Sequence, residues 1–374
     1  MYLKRERIPQ SGILQRGMLV GLLCAVCLFA AHPPIARASA NPTPILPTRF
    51  GSELIRDSEY VTLSQASSKV SMGAYSQALP LLVQTTEQNP LNILGLFHLG
   101  NVYLEMAKQT SDPQNRTKLL VQSRQIFERV VDVNDEFILP YFKLGKIALM
   151  QDDMAAAKQY YQQGLTIDPQ NATLVFNLAR VYDQNGERAD AIRFYRQALS
   201  LDANFTFAYN NLALLYEEEH RYTEAEKAYK AALVRDDKYN LARLNLGNLY
   251  ASTGQYAAAQ KTFAQARIQE PENTWVYYYQ GNMYMRLGQY AQAIQAYNRS
   301  IELDSSNATA YYLLAVSLSR LKRMDEALQA GLHYMRLEPE GRYAREMQTM
   351  IMALHLSQSG SLHFSPANLS QPQQ

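Results

Sequence analysis

The feature that most constrains this chain is an internal repeat with a period of 34 residues. Tyrosine and alanine both recur at this interval, as Tyr182, Tyr216, Tyr250 and Tyr284 and as Ala191, Ala225, Ala259, Ala293 and Ala327. Units of this length are supersecondary elements that bury their apolar sides only by stacking on their neighbours. The sequence therefore predicts one all-α repeat array and leaves no room for a second globular domain.

Eight units fill most of the chain. They span 59–92, 93–137, 138–171, 172–205, 206–239, 240–273, 274–307 and 308–341. The second unit is 11 residues longer than the others. We place this insertion around Ala107 to Thr117, where the first helix runs long before a turn at Ser111 to Pro113. Glycine or alanine in the eighth place of each unit lets two antiparallel helices approach closely, and larger residues fill the remaining space.

The two ends of the chain differ from the array. Residues 1–40 resemble a signal peptide, because a basic start precedes an uncharged apolar run from Gly17 to Ala31 and small residues follow it. We expect cleavage after Ala40 and an extracytoplasmic, periplasmic protein; the alternative is an uncleaved signal anchor. Residues 41–58 form a Pro-rich linker, 342–358 a capping helix, and 359–374 a Ser/Gln/Pro-rich tail that we expect to be disordered.

Composition and motifs exclude several classes of function. A net charge of +2 over 374 residues is too small for an electrostatic nucleic-acid binder. The two cysteines, Cys24 and Cys27, both lie in the apolar run of the signal. The histidines form no metal-ligand pattern, and no phosphate-binding glycine loop or nucleophile elbow occurs. We therefore expect no enzymatic activity, no cofactor or metal, and no small-molecule substrate.

One unit carries a recognisable set of residues: Leu246, Gly247, Tyr250, Gly254, Tyr256, Ala259, Phe263, Ala266 and Pro271. On these residues the chain resembles the tetratricopeptide repeat (TPR) family, over about three quarters of its length. The resemblance implies a right-handed α-solenoid of eight TPR helix pairs plus a C-terminal capping helix. It also implies that the first helix of each pair lines a concave groove that binds protein.

The resemblance directs attention to the sixth and ninth places of the first helices. The sixth place holds Lys143, Asn177, Asn211 and Asn245; the ninth holds Asn101, Lys146, Arg180, Asn248 and Asn282. An asparagine amide both donates and accepts, so such a ladder can hold the backbone of an extended peptide. It resembles the repeat superhelix of O-GlcNAc transferases without the catalytic domain. The alternative is that the asparagines only solvate the inner wall.

Two further groups complete the predicted peptide-binding surface. Trp275 and Tyr278 begin the seventh unit, where Trp275 is either an anchor for a partner or a filler between repeats. Lys143, Lys146 and Arg180 cluster, but they match the carboxylate clamp of chaperone adaptors only incompletely. The sequence thus predicts a non-enzymatic scaffold or adaptor of the cell envelope that binds an extended peptide. The alternative is a structural subunit of an envelope complex, such as one for pilus biogenesis or polysaccharide export.

Overall fold

The computed structural model describes residues 57–358, which contain seventeen α-helices and no strand. The helices of the first four pairs are α1 Asp57–Ser71, α2 Tyr75–Gln88, α3 Ile93–Gln109, α4 Pro113–Val133, α5 Ile138–Met150, α6 Met154–Ile167, α7 Ala172–Gln184 and α8 Arg188–Leu201. Those that follow are α9 Thr206–Glu218, α10 Tyr222–Arg235, α11 Asn240–Ser252, α12 Tyr256–Gln269, α13 Thr274–Arg286, α14 Tyr290–Leu303, α15 Ala308–Arg320, α16 Met324–Leu337 and α17 Ala344–Gln358. The prediction of an all-α array of eight helix pairs with a helix at its C-terminal end is confirmed.

The described residues fall into two compact units, an N-terminal unit of residues 57–191 and a C-terminal unit of residues 192–358. The boundary between them lies within α8. Each unit has its own buried core. In the N-terminal unit, one core cluster joins apolar side chains of α3, α4 and α5, among them Leu96, Phe127 and Leu144. In the C-terminal unit, one core cluster runs from α14 to α17.

Short polar side chains fix where several helices begin. Asn92, Asn171, Asn273 and Asn307 each accept a hydrogen bond from a backbone N–H in the first turn of the following helix. Such N-caps satisfy donors that the helix itself leaves unpaired. Several second helices end two residues before a proline, which cannot continue a helix; these prolines are Pro90, Pro169, Pro271 and Pro339.

Within a pair, the helices meet where a small residue faces a buried aromatic ring. A Cβ added to Gly247 would lie 2.6 Å from the ring of Phe263, and one added to Gly281 would lie 2.5 Å from the ring of Tyr297. Both rings are fully buried. Because no real side-chain carbon fits at such distances, glycine is what permits this approach. The aromatic partners include tyrosines, so much of the tyrosine content belongs to the core.

The insertion in the second unit lengthens both of its helices. Helix α3 has 17 residues where α5 has 13, and α4 has 21 where α6 has 14. The turn between α3 and α4 ends at Asp112, whose carboxylate accepts from the N–H of Gln114 at 3.0 Å. The insertion therefore adds a turn to the end of the first helix and almost two turns to the second.

The last pair departs from the repeat pattern where it meets α17. The aromatic place of the earlier units is occupied by Gly331, and the aromatic ring appears three residues later as Tyr334. A Cβ on Gly331 would lie 2.7 Å from the sulfur of Met347, which is fully buried on α17. The Tyr334 hydroxyl accepts a hydrogen bond from the backbone N–H of Tyr343 at 2.9 Å. The lack of a side chain at Gly331 thus leaves the space into which Met347 of α17 packs.

The predicted signal peptide, most of the predicted linker and the predicted tail lie outside the described residues. The linker was predicted to end at residue 58, and α1 already begins at Asp57. Within residues 57–358, none of the helices combines the length and the apolar character that a membrane crossing requires.

The packing of α17 against the last pair can be tested with a control on the same helix. We expect Met347→Ala to destabilise the protein by about 2–5 kcal/mol, because it leaves a cavity beside Gly331. Met352 is 67% exposed, so Met352→Ala should change stability by no more than about 0.5 kcal/mol. Urea unfolding followed by circular dichroism measures both. Equal losses for the two variants would contradict the described packing of α17.

Candidate peptide-binding surface

In the N-terminal unit, the ninth-place residues of successive first helices are Asn101 on α3, Lys146 on α5 and Arg180 on α7. Lys146 is exposed, and the other two are half-buried. The Asn101 side chain donates to the carbonyl oxygen of Phe97 at 2.8 Å, and its own oxygen makes no hydrogen bond to residues 57–358. The first helices of this unit therefore present polar groups at equivalent places.

A basic cluster lies on the same three helices. It consists of Lys108, Lys143, Lys146 and Arg180, and the carboxylate of Glu105 acts on both Lys143 and Lys146. Glu105 and Lys108 form an ion pair one turn apart on α3. The pKa of Lys143 is lowered from 10.5 to about 8, chiefly because the half-buried ammonium is desolvated and further because Lys108 and Lys146 repel it. Burial, Lys108 and Arg180 likewise lower the pKa of Lys146.

Lys108 and Glu105 were not among the residues predicted from the sequence. Both lie in the last two turns of α3, and Lys108 lies in the turn that the insertion adds. The insertion around residues 107–117 was visible in the sequence and could have pointed to Lys108. The length of α3 before the chain turns could not be predicted from the sequence.

The sixth-place asparagine of the N-terminal unit, Asn177, is only 7% exposed. Its amide nitrogen donates to the carbonyl oxygen of Thr173 at 2.7 Å, one turn back on the same helix. Its amide oxygen accepts from the guanidinium of Arg180 at 3.4 Å. The donor of Asn177 is therefore engaged within α7, and its acceptor orients Arg180 of the basic cluster.

The sixth-place asparagines of the C-terminal unit are also buried and bonded to the protein itself. Asn211 and Asn245 are 5% and 8% exposed. The Asn211 amide donates to the hydroxyl of Tyr195 at 3.1 Å, and the Asn245 amide donates to the side-chain oxygen of Asn210 at 3.0 Å. Asn210 in turn donates to the oxygen of Asn211 at 3.4 Å. This buried network joins α8, α9 and α11.

The sixth-place ladder therefore stays a prediction that would require these asparagines to exchange internal bonds for bonds to a peptide. Since a buried amide that loses its partner is costly, these residues serve the packing of the helices in the structure as it stands. The network also gives a central structural part to Asn210, which was not among the residues predicted from the sequence.

The ninth-place asparagines of the C-terminal unit are half-buried and less engaged. Among residues 57–358, Asn248 makes no hydrogen bond through its side chain. The oxygen of Asn282 accepts from the hydroxyl of Tyr297 at 2.7 Å, and its amide nitrogen makes no recorded bond within the same residues. Asn248 and Asn282 are 34 residues apart, on α11 and α13. Both keep donors for a ligand.

Trp275 and Tyr278 belong to an aromatic cluster next to Asn282. Their rings meet edge to face with centroids 5.5 Å apart, and Tyr278 also lies 6.3 Å from the ring of Tyr297. Tyr297 is the residue that donates to Asn282. Both Trp275 and Tyr278 are half-buried, so each has a packed side and an accessible side. The printed ring contacts of Trp275 are with its own helix, and its role as an anchor for a partner or as a filler between repeats stays a prediction.

Within residues 57–358, no cluster of three or more His, Cys, Asp or Glu side chains is placed to hold a metal ion. Burial lowers the pKa of His98, which favours the neutral ring. The side chains on the first helices can bind a ligand through hydrogen bonds, charge and contacts with aromatic rings.

The lowered pKa of Lys143 predicts a pH-dependent stability. A lysine whose pKa is lower in the folded than in the unfolded state destabilises the fold below the folded pKa, and this cost is relieved as pH rises from about 8 towards the unfolded value. We therefore expect Lys143→Met to be more stable than wild type near about pH 7, and the difference to shrink towards about pH 10. Thermal unfolding at several pH values measures the difference. Lys118→Met, at an exposed lysine of α4, should show no such trend.

Comparisons with known proteins agree with this architecture. A family model described as "Tetratricopeptide repeat" matches residues 148–214 and 216–278, and one described as "TPR repeat" matches residues 281–322. No curated protein matches the sequence.

Three solved structures are similar in fold. The Cut9–Hcn1 hetero-tetramer of the APC/C superimposes with a TM-score of 0.53 at 18% identity, covering 79% of this chain and 55% of that one. A tetratricopeptide repeat protein from Parabacteroides merdae gives a TM-score of 0.53 at 20% identity, covering 68% of this chain and 98% of that one. PilW, described as a type IV pilus biogenesis factor, gives 0.52 at 19% identity, covering 56% and 98%.

At these identities the three likenesses show the fold alone. The family models, together with the tandem helix pairs of residues 57–358, identify tetratricopeptide repeats in this chain.

Proposed function

We propose that this protein is a non-enzymatic scaffold that holds an extended segment of a partner protein along its first helices. The observation that carries the proposal is the pair of half-buried amides, Asn248 and Asn282, at equivalent places of adjacent repeats with unused donors. An amide donor that is partly removed from water and has no protein partner is costly unless a ligand or a water molecule completes it. A peptide backbone supplies such partners whatever its side chains are.

The aromatic cluster supports the same proposal. Trp275 and Tyr278 are held by ring contacts on one side and accessible on the other, next to Asn282. Aromatic residues of this kind carry much of the binding energy at protein interfaces. The amides would then bind the partner's backbone while the rings bury one of its side chains.

A photoreactive residue at the ninth place of the preceding repeat tests this proposal. Leu214 is half-buried and lies 34 residues before Asn248, so benzoylphenylalanine there samples the proposed path and leaves both asparagines intact. We expect a crosslinked protein in cells, and a loss of about five- to a hundredfold in its apparent affinity with the Asn248→Ala, Asn282→Ala variant, since each hydrogen bond contributes about 0.5–1.5 kcal/mol.

The matched control variant is Asn298→Ala, at an exposed asparagine of α14. The control crosslinker replaces Gln295, which is exposed on the same second helix. Crosslinking of the same protein from Gln295 as from Leu214, or equal crosslinking by the Asn298 and the Asn248/Asn282 variants, would reject the first-helix path.

We further propose that the protein works in the cell envelope and is exported by residues 1–40. The support is the basic start, the 15-residue apolar run and the small residues before Asn41. We expect the protein recovered from envelope fractions to begin at Asn41, as read by N-terminal sequencing, and to leave the cell with the soluble periplasmic contents. An intact residue 1 together with tight membrane association would instead indicate a signal anchor, and a cytosolic protein would end the envelope proposal.

A further inference from the structure

We propose that the exposed faces of α10 and α12 form an interface with a second copy of this chain. Both are second helices of their pairs, whereas the peptide of the proposed function lies along the first helices. Self-association through α10 and α12 is therefore a separate property, which holds whether or not a peptide binds.

An apolar pair lies at the centre of this face. Val234 on α10 and Ile268 on α12 are 84% and 80% exposed, and they occupy the same place of adjacent units. The half-buried Ala231 and Ala264 extend the apolar surface by one turn. In the other six units the place of the pair holds an exposed polar residue: Glu87, Asp132, Thr166, Ser200, Glu302 and Arg336. The fold therefore does not need an apolar side chain here, and contiguous exposed apolar surface is typical of a protein contact.

The next residue of each helix shows how the apolar side chains come to lie outside. In three other second helices the polar residue at this place is followed by a leucine: Leu201, Leu303 and Leu337. In α10 and α12 the order is reversed, since Arg235 and Gln269 follow the apolar residues. Arg235 donates to the carbonyl oxygen of Ala203, and Gln269 donates to that of Asp237 at 2.7 Å. The polar side chains thus bond to the turn at the end of the preceding unit, and the apolar side chains face solvent.

A pair of lysines lies on the same two helices, two turns before the apolar pair. Lys227 and Lys261 each precede the apolar residue of their helix by seven residues, which is about 10.5 Å along a helix axis. Both are exposed, and within residues 57–358 neither makes a hydrogen bond or an ion pair. Lys230, which lies between the two rows on α10, is paired with Glu226 at 2.7 Å. The lysine pair therefore presents positive charge that has no partner in the described part of the chain.

The turns that follow the two helices carry an excess of negative charge. Asp236 and Asp237 stand against Lys238 after α10, and Glu270 and Glu272 follow α12. Asp237 and Glu272 are exposed, and among the described residues the side chain of neither makes a hydrogen bond or an ion pair. Along both helices the order of the groups is therefore basic, apolar and acidic.

This order makes the face complementary to itself. A two-fold axis that lies in the interface, along the line from Val234 to Ile268, brings each apolar side chain against its equivalent in the second copy. The same axis reverses the direction of the helices, so Lys227 and Lys261 of one copy face the acidic turns of the other. A two-fold axis parallel to the helices would oppose lysine to lysine, and like charges repel. The first arrangement gives the reciprocal contacts that a two-fold homodimer requires.

A membrane surface fits this face less well. The acidic turns lie beside the apolar pair, whereas the lysines without partners lie two turns away. Insertion of the apolar pair would therefore bring carboxylates to an anionic lipid surface, which repels them. Because the apolar pair is small compared with a permanent dimer interface, we expect self-association to be weak and to depend on concentration.

Sedimentation velocity of the protein expressed from the full sequence measures this association. We expect a monomer that becomes a dimer over a range of about 1–100 μM. The Val234→Thr, Ile268→Thr variant should dimerise at least about tenfold more weakly, because it removes the apolar centre of the interface. Threonine already occupies the same place as Thr166, so the melting temperature of this variant should not fall.

Charge reversal tests the orientation of the two copies. Lys227→Glu, Lys261→Glu makes both ends of the face acidic, and Asp237→Lys, Glu272→Lys adds lysines at the acidic end. Each variant alone should dimerise at least about tenfold more weakly than wild type, whereas an equimolar mixture, with one variant fluorescently labelled, should form mixed dimers about as readily as wild type. Damage to the fold would not be rescued by mixing.

The matched control is Lys118→Glu, Lys322→Glu, which reverses two exposed lysines outside this face; it should dimerise like wild type. A wild-type protein that stays monomeric at about 100 μM would overturn the proposal. So would charge variants that dimerise like wild type, or a mixture that associates no better than its components. Binding of anionic lipid vesicles or of a different protein through Val234 and Ile268, without self-association, would assign the face to another partner and overturn it too.

Discussion

The close approach of the two helices within a pair is the constraint on which the rest of the structure depends. It is set by a small residue on the first helix and a buried ring on the second, as with Gly247 and Phe263 or Gly281 and Tyr297. Once the helices are this close, the packing decides which side chains of the first helix remain accessible. The candidate surface is therefore determined by this packing. Its polar groups lie at positions of the first helix that the buried rings do not cover.

Much of the fold could be predicted from the sequence because its repeat averages out local ambiguity. A single glycine such as Gly281 or a single tyrosine such as Tyr297 says little, but the same pair of types at a fixed interval in several units indicates one packing arrangement. The insertion was harder. Its presence followed from counting, whereas its division between α3 and α4 depends on how far each helix continues, which Asp112 and its capping bond decide.

The candidate site was predicted less well, for a physical reason. Asn245 and Asn248 are three residues apart on one face of α11, and the sequence gives them equal standing. The structure separates them: Asn245 bonds to Asn210 in the interior, while Asn248 keeps an accessible amide. This difference depends on Asn210, a neighbour from another helix, and the periodicity of one helix carries no information about it. The basic cluster shows the same limit, since Lys108 joins it only because α3 is extended.

The exchange of Gly331 and Tyr334 in the last pair has a consequence for how this array can evolve. The final pair is shaped to receive α17 rather than another repeat, since the sulfur of Met347 lies where the ring of an ordinary unit would point. Adding an ordinary repeat after residue 341 would require changes at both Gly331 and Tyr334, because α17 already occupies that side of the last pair.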